Sequence, residues 1–186
     1  MWSDRLPAPK RQEIEERLRA VLPPPRPRAA GTTTPLPDTP PPGQVAEVLR
    51  RRPGFAWLDA GSGGASGQHR LFSRPLVTLQ VRNRRARVKG PLGSAAFSVR
   101  GFDLLEAALA AWAPAAAQAG QRALLVGYLG YELGRDLEKV PPPPEDDLGL
   151  PDLHLALYDQ SLLWDGRSWS LESTDAWPAA SSSRQA

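Results

Sequence analysis

"VGYLGYELGRDLE", Val126 to Glu138, sets two Gly-Tyr steps before a charged run. A phosphate cradle would present consecutive backbone amides to its ligand. Here the glycines alternate with large side chains instead, and the wider stretch "ALLVGYLGYEL", Ala123 to Leu133, mixes small, β-branched and aromatic residues. That pattern predicts a buried strand whose glycines mark places where another backbone comes close. "LGRDLEKV" then predicts about two helical turns, stopped by "PPPPEDD".

On the C-terminal side, "LHLALYDQSLLWDGRSWSLES" predicts two strands around an Asp165-Gly166 turn. On the N-terminal side, "LVTLQVRN" and "ARVKG" predict a hairpin with Arg82 to Arg85 at its tip. Between the hairpin and the opening stretch, Asp103 is the expected N-cap of "LLEAALAAW", with Leu104, Leu105, Leu109 and Trp112 on its apolar face and Pro114 limiting or kinking the helix. Earlier still, "GQVAEVLRRRPG" predicts a short helix ended by Pro53, and "FAWLDA", Phe55 to Ala60, a strand. Hairpin-like connections dominate and regular βαβ alternation is absent. The fold class expected is α+β, with mainly antiparallel sheets and a few packed helices.

Residues 10 to 22 place Ile14, Leu18, Val21 and Leu22 at helical spacing. Pro23 to Gly43 is proline-rich and favours extended segments, as a linker or as a dock for a proline-binding partner. The division expected is a helix and linker over 1–35, one domain over 36–173, and a disordered tail over 174–186.

The 186 residues carry 23 basic and 20 acidic side chains, two histidines and no cysteine. Disulfides, thiolate nucleophiles and cysteine metal sites are excluded. No apolar run reaches the ~20 residues of a membrane span, and the charged start lacks a signal peptide's apolar core, so the expectation is a cytoplasmic protein. The arginine cluster has no interleaved aromatics to stack bases and reads as a solvated turn, so neither nucleic acid nor membrane is an expected partner.

No complete catalytic constellation is visible. "GSGGASG", Gly61 to Gly67, lacks the Lys-Ser/Thr ending of a phosphate loop. His69 follows that loop, and His154 sits in a strand pattern where a satisfied or solvent-facing imidazole is expected. Glu132 and Asp136, four apart, would share a helix face and either bind Mg²⁺ or be neutralised by Arg135 and Lys139.

The order of the motifs carries the reading further. "LPDTPPPGQVAEVLRRRPGFAWLDAG", "GQHRLFSRPLVTL" and the segment from Leu124 to Asp165 resemble the N-terminal region of component I of aminodeoxychorismate synthase and of its relative anthranilate synthase. The most specific part combines Gly127-Tyr128, Gly130-Tyr131-Glu132, "DLGLPD" over 147–152, and Tyr158-Asp159. The resemblance implies that the Gly-Tyr phrase is scaffold, beneath a C-terminal chorismate-binding domain that carries the chemistry and its Mg²⁺. Nothing in this sequence matches that part. The expectation is therefore no catalytic residue, no metal and no cofactor in this chain, which alone would not convert chorismate. The implied partners are a chorismate-binding domain or chain and a glutamine amidotransferase subunit.

The resemblance further implies a pocket that in many members of that family holds tryptophan. Its first wall is matched by Trp57-Leu58-Asp59-Ala60, with a methyl where the family has a serine hydroxyl, and its second by Gly67-Gln68-His69-Arg70, which keeps only the glycine. Weak or absent tryptophan binding is expected, because a buried ammonium and carboxylate need partners and only Asp59 remains to meet the ammonium. Leu58-Asp59 and "DDLGLPD" favour the aminodeoxychorismate branch, in folate-type biosynthesis. The alternatives are the anthranilate branch, in tryptophan biosynthesis, and a stand-alone binding module that has lost the chemistry.

Overall fold

The computed structural model describes residues 8–22, 31–61, 67–118, 124–139, 141, 148–174 and 177. The elements run α1 (Ala8–Val21), β1 (Thr32–Pro35), α2 (Pro42–Leu49), β2 (Ala56–Leu58), β3 (His69–Phe72), β4 (Val77–Arg82), β5 (Arg85–Gly90), β6 (Gly93–Ser98), α3 (Gly101–Gln118), β7 (Leu124–Leu129), a 3-10 turn (Tyr131–Asp136), β8 (Leu153–Tyr158), β9 (Gln160–Trp164) and β10 (Trp169–Ser173). Two five-stranded sheets result, ordered β1-β10-β9-β3-β2 and β6-β5-β4-β8-β7. With antiparallel pairing and three α-helices, the fold class is α+β.

Two compact units divide the chain. One takes Met1–Pro24, Val77–Pro114 and Gly127–Leu155, the other Pro25–Leu76, Ala115–Val126 and Ala156–Ala186, and β7 and β8 contribute residues to both.

In the first unit, the strict alternation of β4 and β5 buries Val77, Leu79, Val81, Ala86 and Val88 on one face. α1 lies against β5 and β6 and buries Ile14, Leu18, Val21 and Leu22, the four positions its spacing singles out. The expected hairpin forms with Arg82 opposite Arg85, so its loop is Asn83-Arg84 alone. Both residues have positive φ, 50° and 59°, the mark of the two-residue turn that matches strand twist.

α3 departs from expectation in three ways. It begins at Gly101, so Asp103 lies inside its first turn, held by Arg100 at 2.8 Å through both Nε and Nη2, and is not its N-cap. Its buried stripe is Leu104, Ala107, Ala108 and Trp112, while Leu109 is 48 % exposed. Steps of three and four residues from Leu104 reach the alanines and miss Leu109. The helix also continues through Pro114 to Gln118.

In the second unit, Ala46, Leu49, Leu71 and Trp169 form one core cluster, and Phe72, Ala156 and Tyr158 another. Tyr158 donates its hydroxyl to the Gly54 carbonyl at 2.6 Å, and its burial pushes the phenol's pKa up. Thr32–Pro35, placed in the linker by composition, pairs with β10 as β1. The last third holds three strands where two were expected, because Asp159 breaks "LHLALYDQSLLW" into β8 and β9, which belong to different sheets. Asp165 closes the next turn by accepting the N–H groups of Arg167 and Ser168 at 2.8 Å, and these bonds lower its pKa. The expected tail after Trp177 and the centre of "GSGGASG", residues 62–66, lie outside the described residues, as does most of "PPPPEDD".

Candidate functional site

Among the described residues β7 is the last strand of its sheet, and this corrects the expectation of a buried strand. Tyr128 is 41 % and Leu129 50 % exposed, and Tyr131 stands 91 % exposed just beyond them. A run of apolar residues is compatible with an edge as well as with a centre, since only the order of strands decides how many neighbours it has. The glycines do lie against another backbone. A Cβ on Gly127 would overlap the His154 carbonyl oxygen, and one on Gly130 would come 3.1 Å from the Asp152 carbonyl oxygen, to which Gly130 donates its N–H at 2.7 Å. Tyr128 stacks on the His154 ring with centroids 5.8 Å apart. On its other side His154 Nδ1 meets Gln80 Nε2 at 3.0 Å, so this imidazole is a satisfied strand residue.

The charged run after Gly130 is a 3-10 turn over Tyr131–Asp136, where two helical turns starting at Leu133 were expected. In that geometry side chains three apart eclipse and those four apart diverge. Glu132 accordingly pairs with Arg135 at 2.5 Å. Asp136 turns elsewhere, accepting the N–H of Gly101 at 2.6 Å and standing 3.3 Å from Arg84 Nε. Asp152 accepts the N–H of Asn83 at 2.7 Å. The arginine hairpin, expected to be a solvated turn, is thus held by two acids from the motif segments. Neither acid was readable as a partner, because each acts across 50 residues or more: 136 − 84 = 52 and 152 − 83 = 69.

These groups surround a cavity of about 290 Å³ that also touches Val81 and Leu133. Its three carboxylates already hold partners, and among the described residues no three acidic or histidine side chains form a metal-binding group. Arg135 Nε is buried without an acceptor, so the spare capacity here is a cationic donor. Mg²⁺ does not fit this arrangement.

The two expected pocket walls meet on the β2–β3 pair, where Leu58 lies opposite Arg70 and Trp57 opposite Leu71. Asp59 Oδ1 accepts the N–H of Gly61 at 2.9 Å and lies 3.0 Å from His69 Nδ1. The approach to His69 is off the hydrogen-bond direction, which leaves that buried nitrogen unsatisfied. Arg70 is engaged as well, 2.8 Å from Glu172 and 3.5 Å from the Ser161 hydroxyl. Leu58 and Trp57 remain exposed, and Ala60 is half-buried with only its methyl group. The two walls therefore come together, but their charged groups are already engaged, Asp59 beside His69 and Arg70 by Glu172. Glu172 and Ser161 were missed, since nothing in the local sequence ties β9 and β10 to β3.

No protein-family model matches the chain. Anthranilate synthase component 1 of Acetivibrio thermocellus is 50 % identical over 40 residues, which are 22 % of this chain and 8 % of that protein. That likeness points to the chorismate-utilising synthases, and the matched segment spans less than a tenth of the relative's length.

Proposed function

We propose that this chain is a non-catalytic scaffold domain of component I of a chorismate-aminating synthase, active only with a chorismate-binding domain or chain. The observation that carries the reading is the 50 % identity over 40 residues to anthranilate synthase component 1. The geometry supports it, because Gly127 and Gly130 serve backbone packing and the nearby carboxylates are consumed by structural pairs. Mg²⁺ would be held by the partner's residues, and ammonia would come from a glutamine amidotransferase subunit. The setting would be cytoplasmic; among the described residues no helix is long and apolar enough to cross a membrane.

Two branches share this chemistry. Leu58-Asp59 and "DDLGLPD" favour the one that makes 4-amino-4-deoxychorismate, whereas the named relative favours anthranilate. The β2–β3 site would bind tryptophan weakly or not at all, since Arg70 and Asp59 are already engaged and Ala60 offers no hydroxyl.

The test is to pull this chain from its native extract, identify what co-purifies by mass spectrometry, and assay the eluate with chorismate and ammonia. Recovery of a chorismate-binding chain with Mg²⁺-dependent amination supports the scaffold reading, and the product identifies the branch. A folded, inactive chain with no such companion would sink it and favour a stand-alone binding module.

A further inference from the structure

Alternation sorts the sheet β6-β5-β4-β8-β7 into two faces. On one, Ala86 and Val88 of β5 are buried, and α1 lies against β5 and β6 with Arg17 over the ring of Phe97, the residue opposite Ala86. The other face carries Arg85, Arg87 and Lys89, all exposed and spaced roughly 7 Å apart along the strand. Thr78 and Gln80 flank them on β4, and Ser94, Ala96 and Ser98 on β6. None of the five strands contains an acid.

The same face holds a polar and aromatic row across four strands. Arg87 lies opposite Gln80, Gln80 Nε2 meets His154 Nδ1 at 3.0 Å, and the His154 ring stacks on the exposed Tyr128. Elsewhere exposed arginines of this chain meet acids, as Arg17 meets Glu13 and Arg84 meets Asp136. Among the described residues the three cations of β5 have no ion-pair partner. Like charges at alternate positions repel, so negative charge brought from outside would stabilise them. Arginine and tyrosine anchor protein contacts, whereas a track for single-stranded nucleic acid sets stacking rings along its cations. β5 has no ring on this face, and the ring of Tyr128 is already stacked.

We propose that this face docks the chorismate-binding domain or chain of the scaffold reading, through an acidic surface on that partner. The docking rests on that reading and adds to it the surface used and the charge that must meet it. The opposite face is taken by α1, so this is the side of the sheet left to a partner.

The test compares pull-downs from native extract by the wild type, by Arg87→Glu/Lys89→Glu, and by Arg51→Glu as a control at an exposed arginine of the other unit. Mg²⁺-dependent amination of chorismate in the eluate measures the partner retained. Wild type and control should retain it equally, the double reversal should retain roughly tenfold less, and the wild-type complex should dissociate as salt is raised. Should the double variant fail to fold by far-ultraviolet dichroism, the salt titration still decides. Equal retention by all three chains, or a complex indifferent to salt, would overturn the docking and leave the scaffold reading standing. Absence of any chorismate-binding partner from the wild-type eluate would overturn both. Nucleic acid held by the wild type and released by the double reversal would give the face another occupant and overturn the docking.

Discussion

The carboxylate of Asp136 accepts the N–H of Gly101 at 2.6 Å, so the first turn of α3 is capped by a residue 35 positions further along the chain. The Asp136 side chain is 8 % exposed, and it also faces Arg84. Asp136→Ala should lower stability by about 1–3 kcal/mol, because it orphans a buried N–H and removes a charge-assisted bond. Urea titration followed by helical ellipticity measures this. A loss below experimental error would mean that water replaces the carboxylate.

Gly127→Ala places a methyl group on the His154 carbonyl oxygen. The backbones of β7 and β8 would have to separate, at a cost of about 1–3 kcal/mol. Gly134→Ala meets nothing within 4 Å and is the control. Comparing the two melting temperatures should show a drop for position 127 alone.

Arg84 holds a left-handed backbone that glycine adopts freely, and its ion pair with Asp136 is exposed on the arginine side. Exposed pairs are worth about 0–1 kcal/mol, similar to the relief that glycine brings at positive φ. Arg84→Gly should therefore stay within about 1 kcal/mol of wild type, whereas β-branched Arg84→Val should fall well below it. Equal stabilities for the two would refute the strain assignment.

Two groups give stability opposite pH dependences. Tyr158 has a folded pKa raised above 10.0 by burial, so its contribution is complete below that pH and is lost as pH rises through the folded value. Asp165 has a folded pKa lowered below 3.8 by the N–H groups of Ser168 and Arg167, so its contribution is complete above 3.8 and is lost as pH falls through the folded value. The destabilisation caused by Asp165→Asn should shrink in acid. That caused by Tyr158→Phe, about 1 kcal/mol at neutral pH for the lost bond to Gly54, should shrink in strong alkali.

What could be read in advance was local. The faces of α1 and the β4–β5 hairpin follow from periodicity and from a charged break between two alternating runs. What could not be read was set by distant neighbours. Position in the sheet order turned β7 from an expected interior strand into an edge, and a tight 3-10 turn redirected Asp136 away from Glu132. Asp59 and His69 could be named from motif likeness, but the ion pair that engages Arg70 needed Glu172, 102 residues away in sequence (172 − 70), to be placed beside it.

The pairing of β1 with β10 bears on synthesis. Thr32 lies opposite Ser173, and Trp169, in the same strand, donates its indole N–H to the Pro40 carbonyl at 2.7 Å and packs with Ala46 and Leu49 of α2. The first strand of this sheet to leave the ribosome therefore waits for the last. Until Trp169 emerges, the threonines of β1 lack their strand partner and α2 lacks its largest core neighbour, so this sheet can close only after Ser173 has been made.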